Sequence, residues 1–203
     1  MTRVSQAELV EGVETGKVVS FPTDTVPALA VKPELAELIF QLKQRPATKP
    51  LILMAASIEE LLPYLNGSET ELANWLTIAQ KYWPGALTLV LPASNLVSPA
   101  INPTDSKTIG IRIPDNAIAL EILRQTGVLA TTSANFSGKP PLETMKAIES
   151  NFPDVLVLQD EGVKEDRPMG SGLPSTVVQW TEAGWQILRQ GSIKLLAKRE
   201  GKI

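Results

Sequence analysis

Short apolar runs set the strongest limit on what this chain can fold into. KVVSF (17–21), LILMA (51–55), ALTLVL (86–91), TIGIRI (108–113), VLATT (128–132) and VLVL (155–158) are each bounded by polar or turn-forming residues. They have strand length and are too short for helices. Most lack a clean alternation of apolar and polar positions, which is the pattern of strands covered on both faces. Helical spacings lie between them, so the pattern predicts a layered α/β protein. The order is not a strict strand–helix repeat. Helices cluster in the first third, and Ser175–Trp180 and Trp185–Arg189 close the chain as two strands joined by a turn at Thr181–Gly184. We therefore expect a mixed, twisted β-sheet flanked by helices, and not a purely doubly wound one.

The helices carry their own signals. Ser5-Gln6-Ala7-Glu8, Ser57-Ile58-Glu59-Glu60 and Ser68-Glu69-Thr70-Glu71 have the spacing of capping boxes, opening helices at residue 6, near 58–65 and over 69–82. Val4 and Leu9 suit a hydrophobic staple, and Gly16 a helix stop. Apolar residues at 35, 38, 39 and 42 predict a helix over 34–43. Further helices are expected at 117–125 and 144–150, and an extended stretch at 28–31. At 203 residues the chain is expected to form one domain over 1–203. Its 16 prolines sit between elements and predict rigid, shaped loops. Residues 159–174 have no periodicity and are expected to be a mobile loop, and the basic tail 194–203 to fray.

The chain has no Cys and no His. A Ser-His-Asp or Cys-His nucleophile, a thiolate redox centre, a disulfide framework and a thiolate or imidazole zinc site are thereby excluded. Proton transfer is left to Asp, Glu, Lys, Tyr, water or the substrate. The net charge is −3, from 19 basic and 22 acidic side chains. Nucleic-acid binding would need a local basic patch. The first residues are polar, unlike a signal peptide, and no apolar run approaches the length of a membrane span. A cytoplasmic location and no membrane partner are expected.

Neither the P-loop nor the dinucleotide fingerprint is present. Four polar clusters do occur beside apolar runs: Pro22-Thr23-Asp24-Thr25; Lys43-Gln44-Arg45 with Lys49; Arg112 within TIGIRIP; and Thr131 to Gly138 (TTSANFSG). Each has a plain structural reading as a turn, a cap or a solvated helix end. Arg112 differs, because a guanidinium between two isoleucines requires a carboxylate of the protein or an anionic ligand. Together, Lys43, Arg45, Lys49, Arg112 and Arg189 offer cations for phosphates and a carboxylate. Thr25, Thr108, Thr131, Ser133 and Ser175 offer hydroxyls, and Asn135 both a donor and an acceptor. Such a set suits the binding and alignment of an anionic nucleotide more than covalent catalysis.

The ordered blocks FPTDTV, LKQRPATKPLIL, WPGALTLVL, IGIRIPDN, TTSANFSGKP, PSTVV and ILRQGSI resemble the YrdC-like family over roughly residues 18–193. Lys43-Gln44-Arg45 matches the family's KxR signature and Ser133-Ala134-Asn135 its SxN. The resemblance implies an α/β sheet around a large concave basic cavity. It implies threonylcarbamoyl-AMP synthesis from L-threonine, bicarbonate and ATP, with pyrophosphate released and Mg2+ bound with ATP. By the same resemblance Lys43, Arg45, Ser133 and Asn135 are catalytic, with no dedicated metal ligands. Arg45, Lys49, Thr108, Ser133 and Arg189 correspond to ATP positions. Thr25, Arg112, Thr131 and Ser175 correspond to threonine positions, with Arg112 taking the carboxylate. A tRNA threonylcarbamoyl-transfer complex would receive the product.

The sequence departs from the family pattern at four places. PTDTVYGL reads PTDTVPAL here, with Pro27 for an aromatic and Ala28 for glycine; Met54 replaces a histidine; Pro141 replaces a serine. Three of these fall on or beside the threonine pocket. The chain resembles the short, single-domain form of the family. Any binding of tRNA or double-stranded RNA by a synthase of this charge is expected to be weak. The alternatives are a drifted paralogue that keeps the basic cavity and binds double-stranded RNA or tRNA without making the adenylate, and an enzyme of the same fold using carbamoyl phosphate or another carboxylated amine.

Overall fold

The structure is a computed structural model that describes residues 2–46, 48–159 and 166–195. Its ten strands are β1 (Arg3–Val4), β2 (Val19–Phe21), β3 (Ala28–Val31), β4 (Ile52–Met54), β5 (Leu87–Pro92), β6 (Thr108–Arg112), β7 (Leu129–Ser133), β8 (Leu156–Leu158), β9 (Thr176–Thr181) and β10 (Gly184–Arg189). They form one sheet in the order β1-β8-β2-β3-β7-β4-β6-β5-β9-β10. Parallel pairs (β1/β8, β2/β8, β4/β6, β5/β9) mix with antiparallel ones (β2/β3, β3/β7, β4/β7, β5/β6, β9/β10). The expected mixed, helix-flanked sheet is therefore observed.

Among the described residues six α-helices accompany it: α1 (Gln6–Glu14), α2 (Glu37–Lys43), α3 (Ile58–Leu61), α4 (Glu69–Tyr82), α5 (Ala117–Thr126) and α6 (Met145–Asn151). The capping boxes at Ser5 and Ser68 both form. The one expected at Ser57 does not, since its side chain caps nothing. The helix read over 58–65 stops at Leu61 and continues as a 3-10 turn over Leu62–Tyr64, where Pro63 has no N–H to give. The helix read over 34–43 likewise opens as a 3-10 turn at Pro33–Leu35. Arg3–Val4, read only as the approach to a helix, adds a parallel strand beside β8.

Three apolar layers hold the sheet. Leu9 and Val13 of α1 and Ile122 and Leu123 of α5 cover β2, β3, Met54 and Leu129 on one face. Met145 and Ile148 of α6 pack with Leu29 and Val157. Leu61, Trp75 and Ala79 cover Leu53, Leu89, Ile109, Ile111 and Val178. The middle of the sheet departs from the expectation of two apolar faces. TIGIRI does alternate: Ile109 and Ile111 enter the core, while Thr108, Gly110 and Arg112 share the other face. Ladder partners place Ile52, Met54, Thr131 and Val90 on that same face. Gly110 keeps it low, since a Cβ there would lie 2.7 Å from Ile52 Cγ2.

Part of the 159–174 stretch, 160–165, lies outside the described residues, as does 196–203 of the tail. The remainder of the stretch is tied down. Met169 N donates to Glu143 O, Ser171 N to Asp24 O and Gly172 N to Thr25 O, each at 2.9 Å. Gly170 has φ +71°, and a Cβ would meet Thr25 O at 2.4 Å and Thr23 O at 2.7 Å.

Candidate active site

Two polar groups form. The first joins α2 to the segment after β7. Lys43 is the last residue of α2, and Gln44 takes a left-handed conformation with φ 48°. That turn sends Arg45 back over the loop, where its Nε donates to Lys49 O (2.7 Å) and Nη2 to Pro50 O (2.9 Å). The Lys43 side chain is buried and donates to Ser133 O, to Thr132 Oγ1 (3.3 Å) and to Asn135 Oδ1 (3.5 Å). Ser133 Oγ donates to the same Asn135 Oδ1 at 2.5 Å. Asn135 Nδ2 is fixed by Phe136 O and Lys139 O, both at 2.8 Å. KxR and SxN thus meet, although some ninety residues separate them. Burial first, then the charges of Arg45 and Lys49, pull the Lys43 ammonium down to about 7.

The second group surrounds Arg112 at the end of β6. Arg112 Nε donates to Gly85 O (3.0 Å), Nη1 to Thr25 Oγ1 (2.9 Å) and Nη2 to Asp24 Oδ1 (2.5 Å). Its immediate counter-ion is therefore a carboxylate of the protein, the first of the two partners the sequence allowed. Burial lowers the Arg112 pKa, Asp24 raises it, and Arg189 lowers it, which makes Arg189 an electrostatic neighbour. Arg189 on β10 donates through Nε (3.2 Å) and Nη2 (2.9 Å) to Ser175 O, and through Nη2 to Ser175 Oγ (3.3 Å). Ser175 Oγ is 2.9 Å from Thr88 Oγ1.

Thr131 lies two residues before Ser133 on the same face of β7, its hydroxyl 3.5 Å from Ile52 O. Thr108 stands at the other end of β6 from Arg112. Its hydroxyl donates to Asp105 Oδ2 (2.9 Å) and accepts from Asn102 Nδ2 (3.3 Å), so its contacts are local. Thr88 and Asn102 lie outside the polar clusters of the sequence, and Asp24 belongs to the first of them without a role assigned to it. For Asp24 a signal existed: a guanidinium in an apolar strand needs an acid, and PTDT holds one. Met54 is the ladder partner of Arg112 on β4, and Pro27 is buried two residues after Thr25.

In a mixed α/β sheet polar clusters at strand ends are the usual ligand sites, and cations grouped with hydroxyls, as at Lys43–Arg45 and at Arg112–Arg189, suit an anion. The chain belongs to the Sua5/YciO/YrdC family, whose model, described as "Telomere recombination", matches residues 11–191. It is similar to the threonylcarbamoyl-AMP synthase of Vibrio campbellii, 34% identical over 188 residues, 91% of this chain and 97% of that one. The synthase of Bacillus subtilis is 35% identical over 182 residues, 87% of this chain and 50% of its own length. Among solved structures, Pyrococcus abyssi Sua5 complexed with L-threonine superimposes with TM-score 0.81 at 30% identity, covering 94% of this chain and 56% of that one. The chain therefore spans about half the length of the last two relatives. Escherichia coli YciO shares the fold, with TM-score 0.75 at 23% identity over 95% of this chain and 94% of that one.

Proposed function

We infer that the chain makes threonylcarbamoyl-AMP from L-threonine, bicarbonate and ATP, for threonylcarbamoyladenosine formation in tRNA. The observation that carries this reading is the convergence of Lys43 with Ser133 and Asn135 beside Arg45 and Lys49. The names of the relatives support it. The threonine amine, unprotonated, bonds to the carbon of bicarbonate, whose C–O bond breaks to release water and leave a carbamate. A carbamate oxygen then attacks the α-phosphorus, the bond from the α-phosphorus to the bridging oxygen breaks, and pyrophosphate leaves. No side chain need become covalently attached, so the protein's part is alignment and charge neutralisation.

In this reading Lys43, Arg45, Ser133 and Asn135 are the catalytic set. Lys43 and Arg45 face the phosphates, Ser133 and Asn135 orient them, and Lys49, Thr108 and Arg189 complete the nucleotide site. Arg112 takes the threonine carboxylate, flanked by Thr25, Thr131 and Ser175. Mg2+ arrives with ATP, held by phosphates and water. Among the described residues no group of three or more acidic side chains converges to hold a metal by itself. The cavity expected from the family would lie between the Lys43–Asn135 group and the Arg112 group. No helix among the described residues is long and apolar enough to cross a membrane, and the product passes to a tRNA threonylcarbamoyl-transfer complex. The test is incubation with all three substrates, following pyrophosphate and the adenylate. Pyrophosphate release that ignores threonine and bicarbonate would sink the reading.

A further inference from the structure

Asp24 stands where a substrate's polar head would meet Arg112, and its two oxygens differ. Oδ1 accepts from Arg112 Nη2 at 2.5 Å. Oδ2 has no partner among the described residues, and the side chain keeps 15% of its surface exposed. The carboxylate is held from behind. Asp24 O accepts from Ser171 N at 2.9 Å, and Thr25 O accepts from Gly172 N at 2.9 Å. Thr23 Oγ1 donates to Val26 O (2.7 Å) and accepts from Thr25 N (3.1 Å), which braces the turn. Arg112 is equally fixed by Gly85 O and Thr25 Oγ1. A guanidinium has five N–H groups. Three have acceptors here, and one on each Nη has none among the described residues.

The arrangement therefore presents a free carboxylate oxygen next to free guanidinium donors. An α-amino acid has the matching polarity, with its carboxylate and ammonium on one carbon. We propose that Asp24 is a specificity-determining residue whose Oδ2 binds the α-ammonium of the amino-acid substrate while Arg112 binds its carboxylate. The inference rests on the proposed use of threonine. Charge favours it. Arg112 and its neighbour Arg189 carry two positive charges against the single negative charge of Asp24. A carboxylate on Arg112 meets this net positive charge, but it also lies close to the Asp24 carboxylate, and an ammonium on Asp24 Oδ2 offsets that local repulsion. A simple carboxylic acid would compete with Asp24 for Arg112 and bring no ammonium of its own to Asp24 Oδ2. The pair thus selects a zwitterion over an acid.

Calorimetric titration of the full chain with L-threonine and with (R)-3-hydroxybutanoate tests this. The second ligand keeps the carboxylate, the hydroxyl and the methyl, and lacks only the amine. The unaltered protein is expected to prefer threonine by about tenfold or more, as for a charge-assisted hydrogen bond. In Asp24→Asn the threonine affinity falls while that of the hydroxy acid holds or rises, so the preference collapses. A purely structural role for Asp24 would weaken both ligands in parallel and leave the ratio standing, and that result overturns the proposal. Should Asp24→Asn fail to fold, Asp24→Glu serves: it keeps the charge but displaces the oxygen by about one methylene, and the ratio must still drop. Unaltered protein that binds no threonine would sink the synthase reading itself, whereas threonine binding with a ratio indifferent to Asp24 sinks this inference alone.

Discussion

Lys43 reaches Ser133 and Asn135 in a buried setting that lowers its ammonium to about 7. Its folded value lies below the unfolded one, so between about 7 and the ordinary lysine range the folded state binds fewer protons. Stability at this site rises with pH across that window and is lowest below it. A polyphosphate beside Lys43 favours the charged form. Nucleotide binding at pH 8 should then take up a fraction of a proton, up to about one, read by calorimetry in buffers of different ionisation enthalpy; no uptake would detach Lys43 from the phosphates. Lys43→Ala or Arg45→Ala should weaken ATP binding by at least ~1.5 kcal/mol, typical of charge-assisted bonds, and unchanged affinity in both would move the nucleotide elsewhere. Met54, the ladder neighbour of Arg112, and buried Pro27 give the amino-acid side few polar groups. Threonine should be poorly separated from serine and valine in a competition assay, and Met54→His with Pro27→Tyr should sharpen the choice. Sharp selection already present and unmoved by the reversions would refute that. KxR and SxN stood out by their place beside apolar runs and by the family resemblance, whereas Arg112 was legible because it breaks an apolar pattern. The Asp24–Arg112 pair was not, since its members lie 88 positions apart and the turn that joins them is set by contacts with residues 170–172.

At the scale of elements, strands read from apolar runs lie within a residue or two of their observed bounds, because short buried runs between turn formers have few alternatives. Two-residue β1 was invisible, since Arg3–Val4 has no pattern of its own and becomes a strand only through β8. The capping signal failed at Ser57 for a similar reason: a one-turn helix stopped by Pro63 offers little for a cap to fix. The stretch read as a mobile loop is, over 166–174, a strap laid on the 23–25 turn. Gly170→Ala puts a methyl against two carbonyl oxygens at a positive φ. It should cost about 1–3 kcal/mol, seen as a lower melting temperature, with threonine binding weakened because the strap braces Asp24 and Thr25. A melting temperature and threonine affinity equal to those of the parent would show that the strap bears no such strain.

For the molecule as a whole, charge and topology carry different messages. A net charge of −3 gives no long-range attraction to a polyanion. Binding of tRNA by the isolated chain should be weak and fall steeply with salt; tight binding indifferent to salt would promote an RNA-binding role. The central polar face was only half legible, because which side of a strand meets helices depends on strand order, and β7 sits between β3 and β4 although it follows both in sequence. That order has a consequence during synthesis. Strand β1 pairs with β8, and β3 and β4 with β7, so the earliest segments leave the ribosome long before their neighbours exist. Nascent β2–β3 and β4 must wait with unpaired edges until Leu129–Ser133 arrives and inserts between them. A chain wired this way folds slowly and late, and its period of greatest exposure to aggregation falls during translation, when chaperones can reach it.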